Sequence, residues 1–327
     1  MIVLVYLTIK YILFCRVIQA SLIRVPGRNY NFSTSFMYDD ESGIIERIPA
    51  LMVDVTHVII PRTVAIVLIG LTASILSGLL GIGGGAILIP ALTCLLGLSQ
   101  HRAHGTSLAV MGPVVLLTAL YYASHGNVNW PAAIELAVGG VAGASIGARF
   151  ACRLSALHLR RYFGMLLILI SLKMMYDFAI AHMSIAAISA TSPIIEPSTL
   201  MGGFAMLFIG TCVGTMSGIF GIGGGIIMIP VLVMLLGYPQ ILAQGISLAV
   251  IIPVSLSGAL IHARHGNVNF GVAAWLIVGG IAGGLLGARL ALGLSQEVLR
   301  GIFSLLMLGM GISTIRRRDV LGEVECD

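Results

Sequence analysis

Apolar residues dominate this chain in long runs that short polar segments separate. From about residue 62 onward each half has a glycine-interrupted apolar region followed by three further apolar runs of helical length. These runs cover about 104–124, 130–150 and 159–180, and then about 244–264, 270–290 and 299–315. A helix that crosses the ~30 Å core of a bilayer needs roughly 20 mainly apolar residues. The pattern therefore predicts an all-α polytopic membrane protein.

Two apolar regions, 62–98 and 200–238, are broken by glycines instead of charges. The first contains Gly78–Pro90 (GLLGIGGGAILIP) and the second contains Gly218–Pro230 (GIFGIGGGIIMIP). Each glycine inside a helix costs about 1 kcal/mol relative to alanine. We therefore expect each region to form a broken helical hairpin, in which two shorter helices meet at the glycines. Irregular backbone at membrane depth occurs where it is buried in protein or lines a cavity.

The second half of the chain repeats the first at an offset of 140 residues. Ser77–Gly97 and Ser217–Gly237 share 14 identities in 21 positions without a gap. The same offset relates SLAV at 107 and 247, HGNVN at 125 and 265, and the glycines Gly139/Gly143/Gly147 to Gly279/Gly283/Gly287. A register held over this length indicates two copies of one unit. Two broken segments in matching places of two halves are a sequence signature of a transporter's binding site.

These boundaries divide the chain into five parts. They are an N-terminal extension at 1–61 (a candidate interfacial or extra membrane helix, then a polar segment), repeat 1 at 62–180, a linker at 181–199, repeat 2 at 200–315 and a basic tail at 316–327. Each repeat is expected to contain the broken hairpin and three transmembrane helices.

Basic residues indicate that the two repeats have inverted topology. Lys and Arg favour the cytoplasmic ends of membrane segments. Arg102 precedes one helix of repeat 1, whereas its counterpart segment in repeat 2 is uncharged; conversely, Arg264 has no basic counterpart in repeat 1. The cluster Arg149–Arg161 and the tail Arg316–Arg318 fit the same side. We expect a multi-pass plasma membrane protein with a cytoplasmic tail and an external linker.

Composition excludes several classes of protein. The chain is 58% hydrophobic and 9% charged, whereas soluble domains are about 25% charged. The net charge of +5 lies in short loops, so it does not indicate nucleic acid. The five cysteines are scattered, so no metal or redox spacing appears, and no cofactor is expected. The expected partners are a small anionic solute, the lipid bilayer and a coupling ion, with the proton as the candidate, and an oligomer is compatible with the sequence.

The glycine segments are candidate anion-binding sites. Glycine leaves backbone N–H groups accessible, and a helix that begins near Ala86 would point its N-terminus at the break, where free donors and the helix dipole favour an anion. The candidate substrate-binding residues are Gly83, Gly84, Gly85, Thr106, Ser107, Gly223, Gly224, Gly225 and Ser247. Close helix packing alone is the alternative role for the glycines. Capping of the next helix, which we expect to start near these residues, is the alternative for Thr106, Ser107 and Ser247.

Three further residues are candidates for coupling or gating. His104 and Gln244 occupy matching positions three residues before the serines, and solvation in a loop is the alternative. Glu135 lies four residues after Pro131 and matches Trp275; a carboxylate within a membrane segment is a functional candidate.

Other motifs are expected to be structural. In the HGNVN segments, Gly126 and Gly266 would end helices and the asparagines would form turns and caps. The glycine series at 139–147 and 279–287 would let helices pack backbone to backbone. Lys173 and Asp177 are four residues apart, which favours an ion pair on one helix.

These motifs resemble those of the sulfite exporter TauE/SafE family, also called the toluenesulfonate uptake permease family. The resemblance rests on GIGGGAILIP at 81–90 and its second copy, together with His104–Ser107 (HGTS) and the His-Gly-Asn segments, and it covers about 62–315. It implies transport of small sulfur-containing or carboxylated anions. The second copy has QGIS at 244–247 where the first has HGTS, so the second half of a site would offer fewer donors.

The leading hypothesis is a secondary transporter that moves small organic or inorganic anions, sulfur-containing ones first, by alternating access. An anion channel is the alternative. An intramembrane serine enzyme that uses Ser77 or Ser217 with His262 is a weaker one, because a duplicated arrangement is unexpected for a single catalytic centre.

Overall fold

The computed structural model describes residues 62–151, 156–183, 200–220 and 224–316, and the regular structure in these ranges is helical. The first half contains α1 (Arg62–Leu80), α2 (Gly85–Leu96), α3 (Gln100–Ser124), α4 (Trp130–Ala151) and α5 (Ala156–Met183). The second half contains α6 (Leu200–Phe220), α7 (Gly225–Pro230), α8 (Gln240–Arg264), α9 (Phe270–Gly293) and α10 (Gln296–Arg316). A π-helical turn, Val231–Leu235, continues α7. The predicted extension at 1–61 and most of the linker and tail lie outside the described residues.

Six of the described helices are long and apolar enough to cross a membrane. The candidate spans are Thr63–Leu80, His101–Ser124, Trp130–Gly147, Gln240–Arg264, Phe270–Gly293 and Gln296–Ile315. Large apolar side chains such as Phe204, Phe208 and Leu169 are exposed on the outside of the bundle, as a lipid-facing surface requires. The predicted all-α polytopic membrane protein is confirmed.

The helices keep the 140-residue offset that the sequence repeat shows. The helices α3 and α8 begin at Gln100 and Gln240 and end at Ser124 and Arg264. Likewise α2 and α7 begin at Gly85 and Gly225, and α4 and α9 begin at Trp130 and Phe270. The two copies therefore fold into the same succession of elements.

The predicted starts of α3 and α8 are wrong by one helical turn. Both helices begin four residues earlier than the expected 104 and 244, so the segments 100–105 and 240–245 are helical. Ser107 and Ser247 therefore lie about two turns inside α3 and α8. N-capping, the alternative role of these serines, is excluded because a cap precedes the first helical residue.

The predicted interruption of each glycine region is present. In the first half α1 ends at Leu80 and α2 begins at Gly85. In the second half α6 ends at Phe220 and α7 begins at Gly225. No straight helix runs through either described region, because α1 and α6 each stop where the glycines start.

Close helix packing joins the two halves through glycines. A Cβ added at Gly279, Gly283 or Gly287 of α9 would overlap the carbonyl oxygens of Val67, Leu71 and Ile75 of α1, respectively. The matching glycines Gly139 and Gly143 of α4 meet the carbonyl oxygens of Leu207 and Thr211 of α6 in the same way. Contacts advance in the same direction along both partners, so α1 runs parallel to α9 and α4 runs parallel to α6. The predicted packing role of these five glycines is confirmed.

The matching helices of the two halves pack antiparallel to each other. Gly105, near the start of α3, lies against His262 near the end of α8, while Gly112 lies against Leu256. In α5 and α10, Gly164 faces Ile315, whereas Ile168 faces Gly311. The N-termini of α3 and α8 therefore lie at opposite ends of the bundle.

The HGNVN segments form turns, as predicted. Gly126 and Gly266 follow helix ends with φ of 74° and 68°, a conformation that favours glycine. The side chains of Asn129 and Asn269 accept hydrogen bonds from the N–H groups of Ala132 and Val272, each at 3.2 Å. These bonds satisfy free donors at the starts of α4 and α9.

The predicted ion pair on α5 is also present. Lys173 Nζ lies 3.2 Å from Asp177 Oδ2, and both side chains are exposed. An exposed pair of this spacing contributes little to stability, so its role is to neutralise two charges on one helix face.

Candidate functional site

The first glycine break is a short non-helical segment with three glycines in the left-handed region. Gly81, Gly83 and Gly84 have φ of 71°, 83° and 78°, which a side chain would strain. The carbonyl oxygen of Gly84 accepts hydrogen bonds from the N–H groups of Ile87 and Leu88, at 3.0 and 2.8 Å. No side chain caps the start of α2, so its first N–H groups face the break.

The second break repeats this geometry as far as it is described. Gly224 has φ of 76°, and its carbonyl oxygen accepts from Ile227 and Met228 at 3.2 and 2.9 Å. Gly223, a predicted site residue, lies outside the described residues. The π-helical turn after Pro230 was not predicted, and its only described counterpart, the end of α2, is regular α-helix.

The two breaks touch each other. A Cβ added at Gly225 would stand 2.8 Å from the carbonyl oxygen of Ile82 and 3.0 Å from its Cα. The hydroxyl of Ser247 donates a hydrogen bond of 2.9 Å to the carbonyl oxygen of Gly81. The two glycine segments, which are 140 positions apart in the sequence, are thus in direct contact.

A small cavity adjoins the second break. Its volume is about 20 Å³, and its polar lining comes from Ser217 and Ser247 beside Gly224 and Gly225. This volume holds about one water molecule, which is less than the volume of an oxyanion.

The corresponding space in the first half is filled by a methionine. Met111 Sδ lies 3.0 Å from the position of a Cβ on Gly85. The hydroxyl of Ser107 donates a hydrogen bond of 3.7 Å to the same sulfur atom. The residue matching Met111 is Ile251, which lines the cavity of the second half. An unbranched, polarizable side chain can fill and leave such a gap readily.

A buried tyrosine links the first break to the second half. Tyr122 is fully buried, and its hydroxyl lies 2.8 Å from the carbonyl oxygen of Gly78 and 3.3 Å from Gln244 Oε1. The Gln244 side chain packs directly on Gly81, and its Nε2 is buried without a hydrogen-bond partner among the described residues. Gln244 is therefore part of the contact between the halves and not a solvated loop residue.

The two positions that match Tyr122 and Gln244 in the sequence repeat are both histidines. His262 matches Tyr122, and His104 matches Gln244. His104 lies within electrostatic range of His262 and His101, and the adjacent Gly105 contacts His262 Cβ. One end of the bundle thus presents a tyrosine–glutamine contact, and the opposite end presents a histidine cluster.

Two of the predicted site residues, Thr106 and Glu135, contact other parts of the protein. The hydroxyl of Thr106 accepts a hydrogen bond of 3.0 Å from the N–H of Asn269, which places Thr106 in the contact with the α8–α9 turn. Glu135 lies beside Gly203 of α6, with Oε1 3.1 Å from the position of a Cβ there. Glu135 therefore belongs to a different polar cluster.

Four residues of the site were not predicted as substrate-binding: Ser77, Tyr122, Met111 and Ser217. The two serines carry a recoverable signal, because they repeat at the same offset and each lies beside a left-handed glycine, Gly84 or Gly224. Tyr122 has no matching tyrosine, so the repeat gives no reason to select it. The serine and the histidine of the enzyme alternative have different neighbours. Ser217 lines the cavity, whereas His262 contacts Gly105 near the start of α3.

Comparison with known proteins identifies the family of the chain. Residues 2–174 and 205–324 match the family described as sulfite exporter TauE/SafE. The chain belongs to this family. The TauE/SafE match begins at residue 2, so our expectation that the first 61 residues fall outside the family region is wrong.

Three relatives of the chain have names that agree with a membrane transporter. A probable membrane transporter protein of Xylella fastidiosa is 32% identical over 245 residues, which is 73% of this chain and 90% of the relative. The probable membrane transporter protein YunE of Bacillus subtilis is 29% identical over 267 residues, 77% of this chain and 97% of the relative. The probable membrane transporter protein MJ0441 of Methanocaldococcus jannaschii is 29% identical over 262 residues, with coverages of 76% and 93%. No solved structure matches the chain.

The coarse function follows from this membership. The protein is a multi-pass member of a membrane transporter family, and the family and its relatives indicate a transporter rather than an enzyme. Its general partners are a transported solute and the lipid bilayer.

Proposed function

We propose that this protein is a secondary transporter of small sulfur-containing anions, such as sulfite or sulfonates, in the plasma membrane. The observation that carries the proposal is the meeting of the two glycine breaks, in which Gly225 lies against Ile82 and Ser247 bonds to Gly81. Interrupted helices that meet between two repeats are the usual construction of a transporter's binding site. The name of the family supports sulfur oxyanions as the first substrates to test.

The binding site of this proposal uses backbone amides and hydroxyl groups. The residues are Gly83, Gly84, Gly85, Thr106, Ser107, Gly223, Gly224, Gly225 and Ser247, to which Ser77 and Ser217 are added. Anions are stabilised by convergent N–H and O–H donors, as at uncapped helix starts. Such a site avoids the cost of placing a charged side chain in lipid.

The proposed transport cycle is alternating access between two inverted repeats. The antiparallel packing of α3 on α8 and of α5 on α10 supports inversion, because matching helices then cross the membrane in opposite directions. His101, Arg102, Arg264 and His265 gather at one end of the bundle through the contact of Gly105 with His262. By the positive-inside rule we assign this end, and with it the tail at 316–327, to the cytoplasm.

Rigid pairs of helices provide the moving parts of this cycle. The glycine contacts of α1 with α9 and of α4 with α6 hold the two backbones directly against each other, so we expect each pair to move as one body. The contacts between α3 and α8 are made largely by side chains, including Leu108 against Gly258 and Leu256 against Gly112. We propose that movement here opens the 20 Å³ cavity, with Gln244 and His104 acting as gating residues at opposite ends.

An anion channel is the alternative mechanism. A channel requires a continuous open pathway, whereas the cavity at the break has room for about one water molecule. Uptake that neither saturates nor responds to a proton gradient would favour the channel. An intramembrane enzyme is the weaker alternative, and cleavage of a peptide that is lost in Ser217→Ala would favour it.

The proposal is tested by uptake into proteoliposomes that contain the purified protein. The panel is sulfite, thiosulfate, a sulfonate and a small carboxylate, each with and without a proton gradient. We expect saturable uptake of at least one sulfur anion that the gradient stimulates and that protein-free liposomes lack. Failure of every anion in the panel would contradict the proposed substrate class.

The same assay tests the role of Ser247. The Ser247 hydroxyl donates to the Gly81 carbonyl in this structure, and we propose that it turns to the anion when the cavity opens. Removal of a hydroxyl that donates to a charged ligand costs about 1.5–3 kcal/mol, so Ser247→Ala should lower kcat/KM by roughly tenfold or more. Ser145→Ala is the matched control, because Ser145 is an exposed residue of α4 whose hydroxyl bonds only within its own helix, to Val141 at 3.0 Å. Equal kcat/KM values for the two variants would remove Ser247 from the site.

A further inference from the structure

Buried polar groups without partners gather near the start of α8. Tyr238 is 1% exposed and Gln240 is 0% exposed. The Tyr238 hydroxyl, both amide atoms of Gln240 and Glu135 Oε2 are buried and have no hydrogen-bond partner among the described residues. Each unsatisfied buried group costs about 1–3 kcal/mol. Four such atoms in one region indicate that something else satisfies them.

The fold brings these groups together from separate elements. Glu135 lies in the second turn of α4, and its side chain is close enough to Tyr238 for its charge to act on the phenol. Tyr238 and Gln240 flank Pro239 at the entry to α8. Gly203 of α6 borders the carboxylate and contributes no side chain. We call Glu135, Tyr238 and Gln240 the carboxylate cluster.

The carboxylate cluster exists in only one half of the protein. The positions that match Glu135, Tyr238 and Gln240 are Trp275, Leu98 and Gln100, so the carboxyl and phenol groups have no equivalents. Features that both repeats share serve a function that both perform, such as forming half of a binding site. A single ionisable group suits a step that occurs once in the cycle.

The chemistry of the cluster fits a proton. A carboxylate oxygen only accepts hydrogen bonds, whereas a carboxyl group that has bound a proton carries no charge and has an O–H that donates. Burial and, secondly, the charge of Glu135 raise the pKa of Tyr238 above its ordinary value. The phenol therefore stays protonated at neutral pH, and its O–H has no acceptor among the described residues.

We propose that Glu135, which lies beside the buried Tyr238, binds the proton that is coupled to transport. The proposal rests on the proposed function and names its coupling ion and site. Proton binding converts the carboxylate to a neutral acid, and release restores the carboxylate, so no other reactant is involved.

The remaining charged groups around the cluster are few. On the neighbouring α10, Gln296 accepts a hydrogen bond of 3.3 Å from the N–H of Ile241, and Arg300 lies one turn further along. Arg300 Nε is also buried without a partner among the described residues, and Glu297 on the same helix is exposed. Helix α6 carries no ionisable acidic or basic side chain.

Infrared difference spectroscopy of the reconstituted full-length protein tests the proton site without any substrate. The pH is stepped between acidic and alkaline values, and the carbonyl stretching band of a protonated carboxylic acid is recorded. We expect the wild type to show a band from a buried acid that Glu135→Gln lacks. Tyr238→Phe should keep the band but shift its frequency and the pH at which it appears, because the polar hydroxyl beside the carboxyl group is lost.

A matched control uses an acid of the same bundle that already has a partner. Asp177→Asn removes the carboxylate that pairs with Lys173 at 3.2 Å, and it should leave the band unchanged. Identical difference spectra for the wild type and Glu135→Gln would overturn the proposal and would indicate that the cluster holds ordered water only.

A transport measurement then separates this proposal from the proposed function. With a panel anion that the wild type transports, Glu135→Gln should lose accumulation driven by a proton gradient but retain exchange of labelled for unlabelled anion. Loss of both activities in a folded variant would contradict a coupling role. If the wild type transports no panel anion, the proposed substrate class fails, while the infrared result still decides whether Glu135 binds a proton.

Discussion

Replacement of Gly84 by Leu is expected to abolish transport while the protein still inserts in the membrane. Gly84 has φ of 78°, and its Cβ would lie 3.3 Å from Ser77 Cβ within the break. The leucine side chain would therefore occupy the space where the anion is proposed to bind. Initial uptake of sulfite should fall below about a tenth of the wild-type rate, the loss expected when a required interaction in the site is removed.

Gly97→Leu provides the control for this experiment. Gly97 also has a left-handed conformation, with φ of 63°, so a side chain there causes a similar backbone strain of about 1–2 kcal/mol. However, no atom lies within 4 Å of its Cβ position, and the residue follows the end of α2. Normal transport by Gly84→Leu, or equal losses in both variants, would contradict a specific role of the break.

Replacement of Gly283 by Leu is expected to prevent folding of the bundle. A Cβ at Gly283 would overlap the carbonyl oxygen of Leu71 and stand 3.0 Å from its Cα. Overpacking of side chains costs about 1–3 kcal/mol, and here the obstacle is backbone that cannot rotate away. We expect loss of the monodisperse peak in detergent chromatography.

Gly293→Leu is the control on the same helix. Gly293 ends α9, and no atom lies within 4 Å of its Cβ position. This variant should elute like the wild type. A Gly283→Leu protein that elutes normally and keeps its thermal stability would show that α1 and α9 do not require backbone contact.

The secondary structure and the repeat were accessible from the sequence because their signals are local. Long apolar runs identify spans, the glycine clusters identify the breaks, and the offset of 140 residues transfers each assignment to the other half. The caps at Asn129 and Asn269 were likewise predictable, since short polar side chains after glycine turns commonly cap helices. The first turns of α3 and α8 were missed because their polar residues, such as His101 and Gln240, look like a loop.

The partners of each helix could not be predicted from the sequence. The glycine series in α4 and α9 indicates close packing, but many helices could accept it, and the structure pairs α1 with α9 and α4 with α6. The same limit applies to the site. Ser107 and Ser247, which the sequence offered as substrate-binding candidates, do lie beside the glycine segments. The contacts of Tyr122 with Gly78 and Gln244, in contrast, depend on residues 44 and 122 positions away.

The sequence also did not show how the side chains around the glycine breaks and at the start of α8 differ between the two halves. Met111 and Ile251 are both apolar, and only the packing shows that the first fills the space at Gly85 while the second borders a cavity. Tyr238 and Gln240 gave no signal in the sequence, because nothing local distinguishes a buried unpartnered side chain from one in a solvated loop.

Inversion of the repeats is tested most directly by labelling the matching residues His125 and His265, which are both exposed and follow the ends of α3 and α8. Each is replaced by cysteine, one at a time, in a variant that lacks the five native cysteines, and intact cells are treated with a membrane-impermeant maleimide. We expect label at position 125 in intact cells and at position 265 only after the membrane is permeabilised. Label at both positions in intact cells, or at neither until permeabilisation, would contradict the inverted arrangement.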